Sequence, residues 1–261
     1  MSSVPTPATL FDLTGKRAVV VGGTGVLGGR FARSLARAGA EVIVVGRSAE
    51  RGTELVADIV AAGDRGFFAE MDVTDRASVV RVSDRLAASG GTDVLVNAAG
   101  KNSRTPFADV TEDEWRELLD INVGAVYRVC QLFAAQMSDR EGGASIINVS
   151  SASSGPPLSR VFAYGAAKAA VNNVTQYLAR ELAPHDVRVN AIIPGFFPAE
   201  QNRALLTPER IASITGHTPL RRLGEAQELD GVLLWLASSR ASGFVTGSLI
   251  HVDGGFSAMT I

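Results

Sequence analysis

Short runs of β-branched residues alternate with stretches of helical period along the whole chain, and that alternation leaves few folds open. The runs 17–21 (RAVVV), 41–45 (EVIVV), 93–96 (DVLV), 145–149 (SIINV), 187–193 (VRVNAII) and 249–252 (LIHV) are dense in Val and Ile. They do not alternate apolar with polar residues, so each predicts a strand covered on both faces. The run 66–70 (GFFAE) is a weaker seventh candidate. Between them, Leu27, Phe31, Leu35 and Ala38 keep one helix face, as do Ala167, Val171, Val174, Leu178 and Leu182. A third stripe runs through Trp115, Leu118, Asn122, Val126, Val129 and Phe133, opened by Thr111 with Glu114 in capping-box spacing. Strands and helices in this order imply a doubly wound α/β domain. Its mostly parallel seven-stranded sheet carries helices on both faces, joined by right-handed crossovers.

With 261 residues, 46% of them hydrophobic, the chain can fill one large core and is short for two. Residues 14–261 are therefore expected to form one domain. The polar, proline-bearing segment 1–13 is expected to be flexible; it lacks the apolar centre of a signal peptide. No run reaches the roughly 18 uninterrupted apolar residues of a bilayer span, so a soluble, cytoplasmic protein is expected. A formal charge of −2 offers no basic face for nucleic acid or anionic lipid. Cys130 is the only cysteine, which excludes an internal disulfide and fits a reducing compartment. His185, His217 and His251 are scattered, with no HExxH or CxxC, and predict no catalytic metal.

Directly after the first strand comes a glycine-rich turn, with Gly22, Thr24, Gly25, Val26 and Leu27 leading into a helix. Glycine there permits a tight turn and a close approach of backbone N–H groups to a pyrophosphate at the positive helix N-terminus. The second strand ends on Arg47 rather than on an acidic residue. A carboxylate would repel a ribose 2′-phosphate, whereas a guanidinium binds it, so the sequence favours NADP(H), with NAD(H) as the alternative. Asn97, Ala98, Ala99 and Gly100 follow the fourth strand, Ser151 the fifth, and Pro194 and Gly195 the sixth. In an open parallel sheet these turns share the ligand-binding edge, and their small residues leave room for a flat cofactor.

Tyr164 and Lys168 are four apart and share one helix face. A nearby cation, Lys168 and in the oxidised state the nicotinamide ring too, favours phenolate, so the expected tyrosine is one whose proton-transfer range is moved toward neutrality by those charges. Such a phenol can protonate a carbonyl as hydride arrives, or take the proton of an alcohol as hydride leaves. Ser151 sits at a strand end where its hydroxyl can reach the substrate oxygen. Asn122 interrupts an apolar stripe: either a core amide bonded to backbone, or a holder of water that links Lys168 to solvent.

In this order and spacing the motifs resemble those of the short-chain dehydrogenase/reductase family over nearly the whole chain. The resemblance implies a Rossmann fold and a catalytic tetrad of Asn122, Ser151, Tyr164 and Lys168. It further implies that Asp72 and Val73 hold an adenine ring, that Asn97 steadies the central strand, and that Lys168 also binds the nicotinamide ribose. A homotetramer is implied as well, formed through the helices bearing Asn122 and Tyr164 and through the C-terminal segment. Departures from the family pattern are Val21 and Val26 in the glycine loop, Ala98 within the Asn-Ala-Ala-Gly turn, and Ala199 in place of a threonine beyond Pro194-Gly195. Within the family, the segments around 25–29, 194–197, 201–206 and 252–256 are similar to D-mannonate oxidoreductase-like members. That implies a sugar acid or polyol, with D-mannonate and D-fructuronate as candidates. Arg203 is the expected ligand of a substrate carboxylate, with Gln201, Asn102 and Arg160 as further substrate contacts. A reductase of 3-oxoacyl thioesters or of apolar ketones is the alternative within the family. A cofactor-binding sensor or scaffold without catalysis is the alternative of another class.

Overall fold

The structure, a computed structural model, describes residues 6–138, 140–198 and 207–259. Seven strands form one sheet: β1 (Arg17–Val21), β2 (Glu41–Gly46), β3 (Arg65–Glu70), β4 (Val94–Asn97), β5 (Ala144–Val149), β6 (Val187–Pro194) and β7 (Leu249–Val252). Their order is β3-β2-β1-β4-β5-β6-β7. Every neighbouring pair is parallel, which sharpens the expectation of a mostly parallel sheet. The weak run 66–70 is indeed a strand. It lies at the sheet edge, where one face has less cover, and Phe67 and Phe68 are only partly buried.

Helices α1 (Val26–Arg37), α2 (Ala49–Ala61) and α3 (Arg76–Ala88) follow the first three strands. After β4 come α4 (Glu112–Leu119) and α5 (Ala125–Met137). After β5 comes α6 (Phe162–Leu182), and after β6 come α7 (Pro208–His217) and α8 (Asp230–Ala237). Two cores lie on opposite sheet faces. On one, Val79, Leu86, Val126, Phe133 and Val171 cover Val19, Val21 and Leu95. On the other, Phe31, Leu35, Ile59, Leu233 and Leu236 cover Val20, Val42 and Val96. Phe31 and Phe133 are fully buried, and each contributes about 2–3 kcal/mol by leaving water.

By length and composition alone, the helical run Glu112–Met137 could cross a membrane (mean hydropathy 1.2). Here it lies against the sheet, with Leu118, Val129, Phe133 and Met137 fully buried. Residues 6–13 are the described part of the segment expected to be a flexible leader. Thr6 caps a helical turn at Pro7–Leu10, Leu13 is buried, and Ser238 Oγ donates to the Leu10 carbonyl at 2.6 Å.

The strand order reverses between β1 and β4, so their carboxyl ends open a crevice between two diverging sets of crossovers.

Candidate active site

The β1–α1 turn is shaped by contacts that only glycine permits. Gly22 has a φ of +79°, and a Cβ on it would stand 2.5 Å from the Ala99 amide nitrogen. A Cβ on Gly28 would stand 2.2 Å from the Gly22 carbonyl oxygen. The first helical turn is thereby pressed against the loop, and the loop against the turn after β4. Gly25 is the N-cap of α1 and has no side chain to bond the first-turn N–H groups, which leaves them to an anion. A groove of about 240 Å³ begins there and is lined by Gly22, Thr24, Gly25, Arg47, Asp72 and Ala98–Gly100, among others. This cradle fits a dinucleotide: backbone donors for a pyrophosphate lie at its centre and a cation at its far end.

Arg47 follows β2, and Ser48 caps α2 by accepting from the Arg51 amide. That cap turns Arg51 into the same groove, a second exposed guanidinium that the sequence reading passed over. Its signal was the Ser48–Arg51 spacing at a helix start. Asp72 receives bonds from the Thr74 hydroxyl and amide, both on Oδ1. Those bonds hold its carboxyl below the usual range, with Arg47 and Arg128 adding to the effect. Val73 lines the groove beside it; Val26 does not, and is exposed.

Asn97, expected among the cofactor contacts, lines neither the groove nor the cavity beyond it. Its amide donates to Asn148 Oδ1 at 2.8 Å, and Asn148 donates to Thr175 Oγ1 at 2.9 Å. This buried relay ties β4 to β5 and both to α6, so Asn97 is a positioning residue acting from within the core.

Past Gly100 the groove opens into a cavity of about 340 Å³ lined by Ser151, Tyr164, Lys168, Pro194 and Gly195, with Leu27 at the boundary. Packing at the start of α6 puts the tyrosine there. Phe162 stacks on Trp115 with ring centroids 5.4 Å apart and meets Phe107 edge-on at 5.0 Å. Gly165 has space for no side chain, since its Cβ would stand 2.9 Å from the Ser153 carbonyl. The helix thus closes on the turn after β5, and Ser151 and Tyr164 come within hydrogen-bonding reach. Asn172 donates to Ser154 Oγ at 2.9 Å and locks the same contact.

Lys168 is buried, and its Nζ donates to the Val149 carbonyl at 2.8 Å. Burial lowers its ammonium to about 8. The same Nζ lies 5.6 Å from the centre of the Tyr164 ring. The expectation that Lys168 moves Tyr164 toward neutrality is corrected for the chain by itself. Burial pushes the phenol up, and the opposing influence is the Ser151 hydrogen bond. Desolvation outweighs one lysine that is itself desolvated.

Asn122 occupies a π-helical turn, Asp120–Gly124, between α4 and α5, closed by the Ala125 amide on the Asp120 carbonyl. The wider turn frees the Leu118 carbonyl, and Asn122 Nδ2 takes it at 2.9 Å. The same amide brackets Lys101, donating to its carbonyl at 2.8 Å and accepting from its N–H at 3.3 Å. The backbone reading of Asn122 therefore holds, yet its oxygen also faces the site. A Cβ on Gly100 would stand 2.7 Å from Asn122 Oδ1 and 3.5 Å from Lys168 Nζ. The Gly100 backbone, the Asn122 amide oxygen and the Lys168 ammonium therefore stand close together, with no space for a side chain at position 100.

The expected substrate contacts divide. Asn102 lines the cavity, whereas Arg160 is exposed, has a left-handed φ of +63°, and is not among the lining residues. Gln201 and Arg203 lie outside the described residues, as does Ala199. Sequence reasoning missed Arg104, Arg210, Phe196 and Phe197, all of which line the cavity. Among the described residues no cluster of His, Cys, Asp and Glu could hold a metal ion.

Known proteins of similar sequence and shape fit this geometry. Residues 25–257 match the family model described as enoyl-(acyl carrier protein) reductase. Gluconate 5-dehydrogenase of Gluconobacter oxydans (strain 621H) is 37% identical over 251 residues, covering 94% of this chain and 96% of that protein. A gluconate 5-dehydrogenase from Burkholderia cenocepacia J2315, solved in complex with NADP and tartrate, superposes with a TM-score of 0.93 at 33% identity. It covers 98% of this chain and 100% of its own. A Haemophilus influenza protein assigned as a D-mannonate oxidoreductase, with bound NAD, superposes with a TM-score of 0.91 at 30% identity, covering 98% and 99%.

Proposed function

Because this chain belongs to the short-chain dehydrogenase/reductase family, we propose that it moves hydride between NAD(P) and the secondary alcohol or ketone of a sugar acid. The observation that carries the reading is the convergence of Ser151, Tyr164 and Lys168 on one cavity that continues the glycine-lined groove. Relatives act on, or bind beside, gluconate, mannonate and tartrate by name, which supports sugar acids as a class and widens the narrower D-mannonate and D-fructuronate expectation.

Bound in the groove, the nicotinamide would supply or accept the hydride. Gly22, Thr24, Gly25 and Ala98–Gly100 would hold the dinucleotide, and Arg47 with Arg51 would receive a 2′-phosphate; this supports NADP(H) over NAD(H). Ser151 Oγ and the Tyr164 hydroxyl would grip the substrate oxygen. In oxidation Tyr164 takes the hydroxyl proton as the C–H electron pair departs with its hydrogen; in reduction it returns that proton. Lys168 would steady the phenolate and the ribose. A water beside Asn122 would pass the proton onward next to Lys168.

A homotetramer and a cytoplasmic location belong to the same proposal. Tyr127 on α5 and Tyr177 on α6, 53% and 60% exposed, are supports for assembly through those helices, and light scattering showing a monomer would remove it. The test of function is a screen at the nicotinamide absorbance band, with D-gluconate, D-mannonate and their keto acids against NADP and NAD. Turnover of a sugar acid is expected. Turnover confined to acyl thioesters or apolar ketones would move the chain to another branch of the family. Cofactor binding with no turnover of any of these would favour the sensor or scaffold.

A further inference from the structure

The cavity beside Tyr164 has a one-sided charge. Lys101, Arg104, Lys168 and Arg210 line it, and no Asp or Glu is among its described lining residues. Two of these cations have structural duties: Lys168 holds the Val149 carbonyl and Lys101 pairs with Glu117 across the rim. Arg104 comes from the loop after β4 and Arg210 from the first turn of α7, so two separate segments deliver guanidinium groups to one space. They are close enough for Arg210 to press on Arg104, which burial already holds below its ordinary range.

Arg210 is also in a position that local rules disfavour. Thr207 caps α7, Pro208 opens it, and Arg210 is the third helical residue, its amide donating to Thr207 Oγ1. A helix start prefers a carboxylate at that place, both for the capping box and for the dipole. Its Nε is sealed from solvent and donates to no acceptor among the described residues. A buried donor on a cation, placed against the dipole and facing a second cation, is costly unless a ligand supplies the missing acceptor. We propose that Arg210 is a substrate ligand, receiving the carboxylate of the hydroxy acid whose alcohol is presented to Ser151 and Tyr164. The inference rests on the sugar-acid reading and adds the residue that enforces it. It adds Arg210 as an anion-binding residue, with Arg104 as the neighbouring charge that makes the site selective for anions over neutral polyols.

The experiment compares D-gluconate with D-glucitol, the uncharged polyol of the same chain length, in wild type, R210M and R210K, each loaded with NADP. Wild type is expected to favour gluconate. R210M should raise the gluconate KM roughly 10- to 100-fold while kcat falls less, as for loss of a charge-assisted contact distant from the reacting atoms. R210K should recover part of that loss. Fluorescence titration with NADPH provides a readout apart from turnover and should give the wild-type affinity in both variants. Should R210M fail to fold, R210K and the wild-type salt response decide, since added KCl should raise the gluconate KM. Gluconate turnover with an unchanged KM in R210M, or in R210K with no salt response, would overturn this inference alone. Preference for glucitol, or no turnover of any sugar acid, would overturn it together with the sugar-acid reading.

Discussion

Replacing Gly100 with alanine adds one methyl group to the point where Asn122, Lys168 and the β4 loop meet. Gly100 is not among the residues of positive φ, so backbone strain plays no part and the effect is one of packing. The new Cβ would lie 2.7 Å from Asn122 Oδ1. An ordinary carbon–oxygen contact is about 3.3 Å, so something must give by roughly 0.6 Å. Asn122 cannot yield freely, because three hydrogen bonds hold it to Lys101 and Leu118. Losing one or two of these costs about 0.5–1.5 kcal/mol each, and overpacking of this kind costs about 1–3 kcal/mol in total. For a chain of this length that is a fall in Tm of several degrees, at about 2–4 °C per kcal/mol. The catalytic loss should be larger. The methyl group crowds Asn122 Oδ1 beside Lys168 and shifts the loop, and displacements near 1 Å cost on the order of 100-fold in rate. Initial rates with D-gluconate and NADP, a thermal melt and an NADPH titration measure the three quantities. The expected pattern is kcat down about 10- to 100-fold, Tm down modestly and NADPH affinity lowered as well, because Gly100 lines the cofactor groove. A rate within twofold of wild type at unchanged Tm would refute the role given to the close contact of Gly100 with Asn122.

Arg47→Asp combined with Arg51→Leu should lower the NADP-to-NAD ratio of kcat/KM by roughly 100-fold or more, since each charge-assisted contact is worth about 1.5–3 kcal/mol; an unchanged ratio would remove both residues from cofactor choice. Lys168, lowered to about 8 from 10.5, carries a charge penalty in the folded state that is complete below pH 8 and relieved as pH rises to 10.5. The unfolded chain binds more protons in that window, so wild type should gain up to roughly 3 kcal/mol relative to Lys168→Met between pH 7 and pH 10. Urea unfolding of both proteins at the two ends checks it, and a constant difference would refute the burial argument. Gly216 lies in α7 with nothing within 4 Å of an added Cβ, so Gly216→Ala should raise stability by about 0.5–1 kcal/mol, and a lower Tm would contradict that.

Much of this fold was legible because its signals are local. Runs of Val and Ile buried on both faces read as parallel strands, and the glycine loop announced itself by lying between a strand and a helix. Tyr164, Lys168 and Ser151 were legible for the same reason, as strand-end and helix-face positions. The π turn at Asn122 was not, since a single extra residue per turn leaves the apolar stripe of α4 and α5 intact. Arg51, Arg104 and Arg210 were also hidden. Each is an arginine in a loop or first turn, and only the tertiary fold shows that such a side chain lines a groove rather than meeting solvent. Asn97 ends β4 and aims its side chain into the core, which fits its expected part in steadying the central strand better than a place among the cofactor contacts. The direction of Tyr164's shift turned on desolvation, a quantity with no signature in spacing.

The central claim is that Tyr164 carries the proton in an NAD(P)-linked oxidation and reduction. Its most direct test compares wild type with Tyr164→Phe, following nicotinamide absorbance with D-gluconate and with its keto acid, alongside NADPH binding. The account predicts wild-type turnover in both directions. It predicts a loss of at least 100-fold in kcat for the variant, the scale of a lost general acid–base group, with NADPH affinity within a few-fold of normal. Turnover by Tyr164→Phe at near the wild-type rate would contradict it.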